Sequence, residues 1–156
     1  MPMPEPQLKK FGHLATPLLE PGEQLLDIAV VQPLRGAGGV GVTGVVGSAI
    51  ASVGAVKGGK GSIADSFPHD LPLGTNMLTV TDRRVLFLYS DPARKSAQLL
   101  WQAPRSAVLD LERRPRLQVM AKFRLHFQDG SSVSVLTMRR RSIDSVARAL
   151  GRGRQT

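Results

Sequence analysis

From residue 76 until the last segment, turn-forming residues interrupt the chain about every eight to twelve positions, and the short segments between them read as strands. Connections this brief cannot carry a parallel crossover, so successive segments must pair as antiparallel neighbours. Residues 77–81 and 84–89 are two such strands, joined at Thr81, Asp82 and Arg83. Residues 97–102 hold the single tryptophan, Trp101, and run to Pro104. Residues 107–113 set Val108, Asp110 and Glu112 against Leu109, Leu111 and Arg113, the period of a half-buried strand.

The cleanest alternation spans residues 117–127, with Leu117, Val119, Ala121, Phe123, Leu125 and Phe127 on one face. Asp129 and Gly130 then invite a two-residue hairpin. That register would set Phe127 opposite Ser132 and separate the apolar faces, whereas one more loop residue brings Val133 and Val135 onto the face of Leu125 and Phe127. A glycine bulge at Gly130 is therefore expected. The last segment changes period: Ile143, Val146, Ala147 and Leu150 form the stripe of an amphipathic helix. Ser142 is its expected N-cap, Asp144 falls in the first turn, and Gly151 ends it.

Ahead of this β region, residues 24–32 (QLLDIAVVQ) follow a turn at residues 20–23 and form the first strand, closing at Pro33. Residues 1–17 read as a mobile arm, because prolines at 2, 4, 6 and 17 leave little room for a regular element. Leu8, Phe11 and Leu14 are spaced for one helical turn docked on the body. No leader is assigned, since the first residues lack the basic and leucine-rich parts of one. Residues 152–156 read as a frayed tail, and residues 18–151 as one domain.

The net charge of +9 is placed unevenly. Residues 1–78 hold 5 Lys/Arg against 6 Asp/Glu, and residues 79–156 hold 16 against 6. Such an excess favours anionic partners: nucleic acid, anionic lipid or acidic protein. The plainer reading is a set of dispersed arginines on solvated strand faces. There is no cysteine, which excludes disulfides, thiolate metal sites and thiol nucleophiles and leaves the cytosol as the default compartment.

Between the first strand and the β region lies RGAGGVGVTGVVGSAIASVGAVKGGKGS, residues 35–62. Residues 39–44 spell G-x-G-x-x-G after a strand, yet the antiparallel pattern that follows removes the parallel sheet a dinucleotide site needs. Residues 54–61 approach a phosphate loop but place Gly61 where the magnesium-binding hydroxyl belongs. Residues 36–56 are uncharged and long enough to span a bilayer, but their seven glycines and lack of Leu, Phe and Trp drive insertion weakly. Gly44, Gly47, Ala51 and Gly54 instead suggest small-residue packing against the domain or a second copy of the chain.

Other chemistry is sparse. His13, His69 and His126 lie far apart without a ligand pattern, so no metal is expected. Ser62, Ser66 and Ser142 have no nucleophile-elbow context, and Asp110 and Glu112 read as exposed acids. No catalytic residue, enzyme activity or cofactor is expected. Arg139, Arg140 and Arg141 form the densest basic patch, with Arg148 and Arg152 along the helix, although few aromatics are free to stack on bases.

Seven short antiparallel strands and one C-terminal helix make a mainly β sandwich or open barrel whose open end the helix covers. The residues LTVTDRRVLFL (78–88), Trp101, FRLHFQDGS (123–131) and the closing helix resemble the bacterial pleckstrin-homology-like proteins related to PH and GRAM domains, over roughly residues 20 to 151. The resemblance implies a binding or adaptor module for a protein partner or an anionic membrane surface, cytoplasmic or peripheral at the inner face. Relatives bind phosphoinositide headgroups with basic residues between their first two strands. Here that connection, residues 35–75, is the glycine-rich insertion and loop, so Arg35, Lys57 and Lys60 become candidates. The next strand, residues 77–81, carries no Lys or Arg, a departure from that pattern. A nucleic-acid-associated protein using Arg139, Arg140 and Arg141 is the alternative.

Overall fold

The computed structural model describes residues 6–33, 56–68, 74–91, 93, 96–113, 121–137 and 140–151, without the side chains of Pro6 and Arg140. Arg35, Arg139, His69, residues 36–55 of the glycine-rich stretch, residues 117–120 and the tail lie outside that set.

Among the described residues the strands are β1 (Leu25–Pro33), β2 (Val56–Lys57), β3 (Thr75–Thr81), β4 (Arg84–Ser90), β5 (Ala97–Pro104), β6 (Val108–Arg113), β7 (Ala121–Phe127) and β8 (Ser132–Thr137). The helices are α1 (Pro6–Ala15), α2 (Ile63–Ser66) and α3 (Arg140–Leu150), with 3-10 turns at Thr16–Leu18 and Arg105–Ala107. All pairings are antiparallel, in the order β5-β4-β3-β1-β8-β7-β6, and β2 pairs separately with β8. The fold is thus mainly β, with an open sheet and a C-terminal helix.

β1 is shared by two meanders. Leu25 to Val30 pair with β3, while Val31, Gln32 and Pro33 pair with β8. At the parting point Val30 donates its N–H to Gln7 Oε1 at 3.0 Å, and its carbonyl accepts Thr137 Oγ1 at 3.0 Å. The change of neighbour therefore leaves neither group unpaired. Pro33 faces Val135 and Val56 faces Val133, so β2 resumes, farther along β8, the line that β1 leaves. The span expected as one insertion and loop thus contains a strand and a helical turn. Counting β2, eight strands are present among the described residues where seven were expected.

Two apolar layers explain why β3 and β4 are buried on both faces. The inner core joins Leu78, Val80, Val85 and Phe87 to Phe123, Leu125, Val133 and Val135 under Ile143, Val146 and Leu150 of α3. The outer layer sets Ile28, Met77, Leu86 and Leu88 against Leu8, Phe11, Leu14 and Leu18. Residues 6–15 are thus helical where the prolines suggested little room for regular structure. Pro6 occupies the first helical position, where its missing N–H costs nothing. An isolated ten-residue helix is marginal in water, and Gly12 costs about 1 kcal/mol against alanine. Docking of the apolar face, about 1.5–3 kcal/mol for each large side chain fully buried, outweighs both.

Register follows alternation where no bulge intervenes. At the β7–β8 turn Leu125 faces Val133 and Phe123 faces Val135, and Gly130 sits at φ 85°, the bulge that the apolar pattern required. In β6 the expected strict alternation fails. A bulge between Val108 and Asp110 buries both Val108 and Leu111 and leaves Leu109 49% exposed. α3 begins at Arg140, earlier than expected. Ser142 is therefore inside the helix, 1% exposed, with its hydroxyl donating to Gln7 Oε1 at 3.2 Å instead of capping. Asp144 lies beyond the first turn and pairs with Arg113 at 3.2 Å.

Candidate functional site

Lys57 lies on β2 opposite Ser132, and Lys60 lies in the turn leading to α2; both are exposed. The turn is wound tightly. Gly58 has φ +150°, and a Cβ there would stand 2.6 Å from Ser62 Oγ and 2.7 Å from Ser131 Cβ. The amides a phosphate would need are already taken. Ile63 N–H donates to Asp129 Oδ2 at 2.8 Å, Ala64 N–H to Ser131 Oγ at 3.1 Å, Asp65 N–H to Ser62 Oγ at 3.1 Å, and Gly61 N–H to Asp65 Oδ2 at 3.1 Å. The Ser131 hydroxyl, followed by the N–H groups of Ile63 and Ser131, holds the Asp129 carboxyl below its ordinary range. Two carboxylates thus accept backbone N–H groups of the turn that carries the two lysines, and the loop is a poor anion cradle.

Arg141 is exposed in the first turn of α3. β8 begins at Ser132, opposite Lys57, and ends at Thr137, shortly before that helix. Among the described site residues, Lys57 thus lies opposite the start of β8 and Arg141 follows its end.

Two further exposed cations lie on the helix that is tied to the start of α3. The hydrogen bond from Ser142 to Gln7 ties the start of α3 to the start of α1, and α1 presents Lys9 and Lys10 to solvent. Reading the N-terminal residues as an arm hid these two lysines from the site. The signal was the spacing of Leu8, Phe11 and Leu14, which fixes the buried face of α1 and hence its exposed one.

The Thr81-Asp82-Arg83-Arg84 turn, the most distinctive part of the resemblance, is occupied internally. Arg84 holds Glu23 through Nη2–Oε1 at 2.6 Å and Nε–Oε2 at 2.9 Å, and Thr81 Oγ1 donates to Glu23 Oε2 at 2.6 Å. Asp82 Oδ1 accepts Gln24 N–H at 2.9 Å, and Arg83 Nη1 donates to the Pro21 carbonyl at 3.4 Å. The hydrogen bond from Arg84 is the largest influence on Glu23, whose carboxyl is lowered to about 2. These four residues clasp the turn preceding β1.

A further polar pair lies between β6 and β7. His126, half-exposed, meets Glu112 Oε1 at 2.9 Å. Among the described residues no group of three His, Asp or Glu side chains could hold a metal ion. No helix among them is long and apolar enough to cross a membrane. No protein-family model matches the chain, and a search of curated proteins finds no match.

Proposed function

We propose that this chain is a non-enzymatic, PH-like binding module that recognises an anionic membrane surface, with an acidic protein partner as the second reading. The observation that supports it most is the strand order β5-β4-β3-β1-β8-β7-β6 with α3 packed against β1, β3, β6 and β8. Short antiparallel strands closed by a C-terminal helix support the PH-like reading. The net charge of +9 supplies the attraction to anionic surfaces.

A nucleic-acid reading finds less support. Six of the seven aromatic residues are buried, and Phe11 is half-buried beneath α1, which leaves no exposed ring on which bases could stack. Such binding would rest on phosphate contacts alone.

Co-sedimentation with mixed phosphatidylserine–phosphatidylcholine vesicles, with pure phosphatidylcholine vesicles, and binding to duplex and single-stranded DNA, each at two salt concentrations, tests the proposal. The expected result is partition onto the anionic vesicles that exceeds binding to either DNA at both salt concentrations. Equal binding to every polyanion, abolished by salt, overturns it.

A further inference from the structure

We infer that the surface meeting the anionic membrane is the corner where α1 and α3 begin, presented by Lys9, Lys10 and Arg141, and not the loop that carries Lys57 and Lys60. The inference rests on the binding-module reading and gives it a location.

The corner is fixed by a shared acceptor. Gln7 Oε1 receives both the Val30 N–H at 3.0 Å and the Ser142 hydroxyl at 3.2 Å, so the two helices are tied to each other and to β1 at one point. Lys10 lies three residues beyond Gln7, and Arg141 is next to Ser142. Chain geometry then keeps the Cα atoms of Lys10 and Arg141 within roughly 20 Å of each other. Lys9, Lys10 and Arg141 are all exposed.

Charge separates this corner from the lysine loop. α1 contains no Asp or Glu, and the first turn of α3 has none. The nearest acid on α3, Asp144, is engaged by Arg113 at 3.2 Å. At the other end of β8, Asp65 and Asp129 are built into the loop and offset Lys57 and Lys60. Equal numbers of opposite charges leave little field beyond a Debye length of about 8 Å, whereas an unopposed cluster keeps its attraction.

A membrane surface carries many anionic groups, which several exposed cations can meet at once. The Lys10 ammonium stands over the Phe11 ring, 5.3 Å from its centroid, and Lys10 remains exposed.

The test compares the full-length wild type with K9E/K10E/R141E and K57E/K60E, using mixed phosphatidylserine–phosphatidylcholine vesicles. Each cation near such a surface is worth about 1 kcal/mol, so the corner variant is expected to lose at least ~10-fold in partition. The loop variant is expected to stay within ~2-fold of wild type. Thermal midpoints confirm folding, and K9Q/K10Q/R141Q, with the same expected direction, replaces the corner variant should it unfold. Equal losses in the two variants, or a larger loss at the loop, overturn the location while leaving the binding-module reading standing. Failure of wild type to bind the vesicles overturns the reading and the location together, and tighter binding to duplex DNA than to the vesicles at the same salt does likewise.

Discussion

Arg84 holds Glu23 in a two-point grip, Nη2–Oε1 2.6 Å and Nε–Oε2 2.9 Å, across 61 positions of sequence. The Glu23 side chain has no exposed surface, and that of Arg84 is 14% exposed. The grip lowers the Glu23 carboxyl from 4.5 to about 2. A carboxyl depressed in the folded state contributes stability that is complete above its unfolded value and lost as pH falls toward the folded one. Wild-type stability is therefore expected to decline between pH 4.5 and 2 by on the order of 2–3 kcal/mol from this group. Urea unfolding across that range checks it. In Glu23→Gln the decline should shrink by this amount, and stability at pH 7 should fall by about 2–4 kcal/mol because Arg84 loses its counter-charge. An unchanged acid slope in the variant would show that Glu23 is not the group responsible.

Gly58 and Gly59 are adjacent yet should respond oppositely to alanine. At Gly58, φ is +150°, and a Cβ would press against Ser62 and Ser131; at Gly59 nothing stands within 4 Å. Gly58→Ala is expected to cost about 1–3 kcal/mol, and Gly59→Ala to stay within about 0.5 kcal/mol of wild type. Denaturant midpoints of the two variants decide the matter, and equal values would mean that the turn relaxes around the added methyl group.

The sheet was legible from residues whose alternation is uninterrupted. The register of β7 against β8 followed from Phe123, Leu125, Val133 and Val135, because only one loop length puts all four on one face. In β6 the bulge at Leu109 broke the pattern, and nothing local announces a bulge without a glycine. Ser142 was misread because a serine before an apolar stripe resembles a cap, whereas its hydroxyl answers to Gln7, 135 positions away. α1 stayed hidden because its stability comes from Ile28, Met77, Leu86 and Leu88, a surface that exists only once the sheet is paired. The same holds for the link between the starts of α1 and α3, which the Ser142–Gln7 hydrogen bond makes only in the folded chain. The sequence could not show that Asp129, 66 positions from Ile63, folds onto the turn that carries Lys57 and Lys60.

Phe67 packs between the paired strands β4 and β5 on one side and β7, at the far part of the sheet order, on the other. Its ring centroid lies 5.0 Å from Trp101 of β5, 5.3 Å from Phe87 of β4 and 6.5 Å from Phe127 of β7. Trp101 Nε1 also donates to Ser66 Oγ at 3.0 Å, which fastens α2 to the same place. Phe67→Ala is expected to destabilise the protein by about 3–5 kcal/mol. Since Trp101 is the single tryptophan, its native-state emission should shift to the red as water reaches the vacated space. Unchanged emission with full stability would mean that Phe67 contributes nothing to closing this side of the core.

α1 covers an apolar sheet face that would otherwise meet water. Ile28, Met77, Leu86 and Leu88 are each no more than 1% exposed beneath it, and its polar anchorage rests on Gln7. Removing residues 1–18 should leave the inner core intact, because the α3 stripe and the β7–β8 face do not depend on α1. The outer layer would open, giving binding of an apolar fluorescent dye, concentration-dependent association and a loss of several kcal/mol of stability from side chains worth about 1.5–3 kcal/mol each. Leu8→Ala with Phe11→Ala should produce a weaker form of the same behaviour, and Gln7→Ala a smaller loss of about 1–2 kcal/mol, because the Val30 N–H and the Ser142 hydroxyl lose their acceptor. Dye titration and sedimentation of the three variants provide the measurement. A truncated protein that stays monomeric, binds no dye and unfolds at the wild-type midpoint would show that the outer face does not need α1.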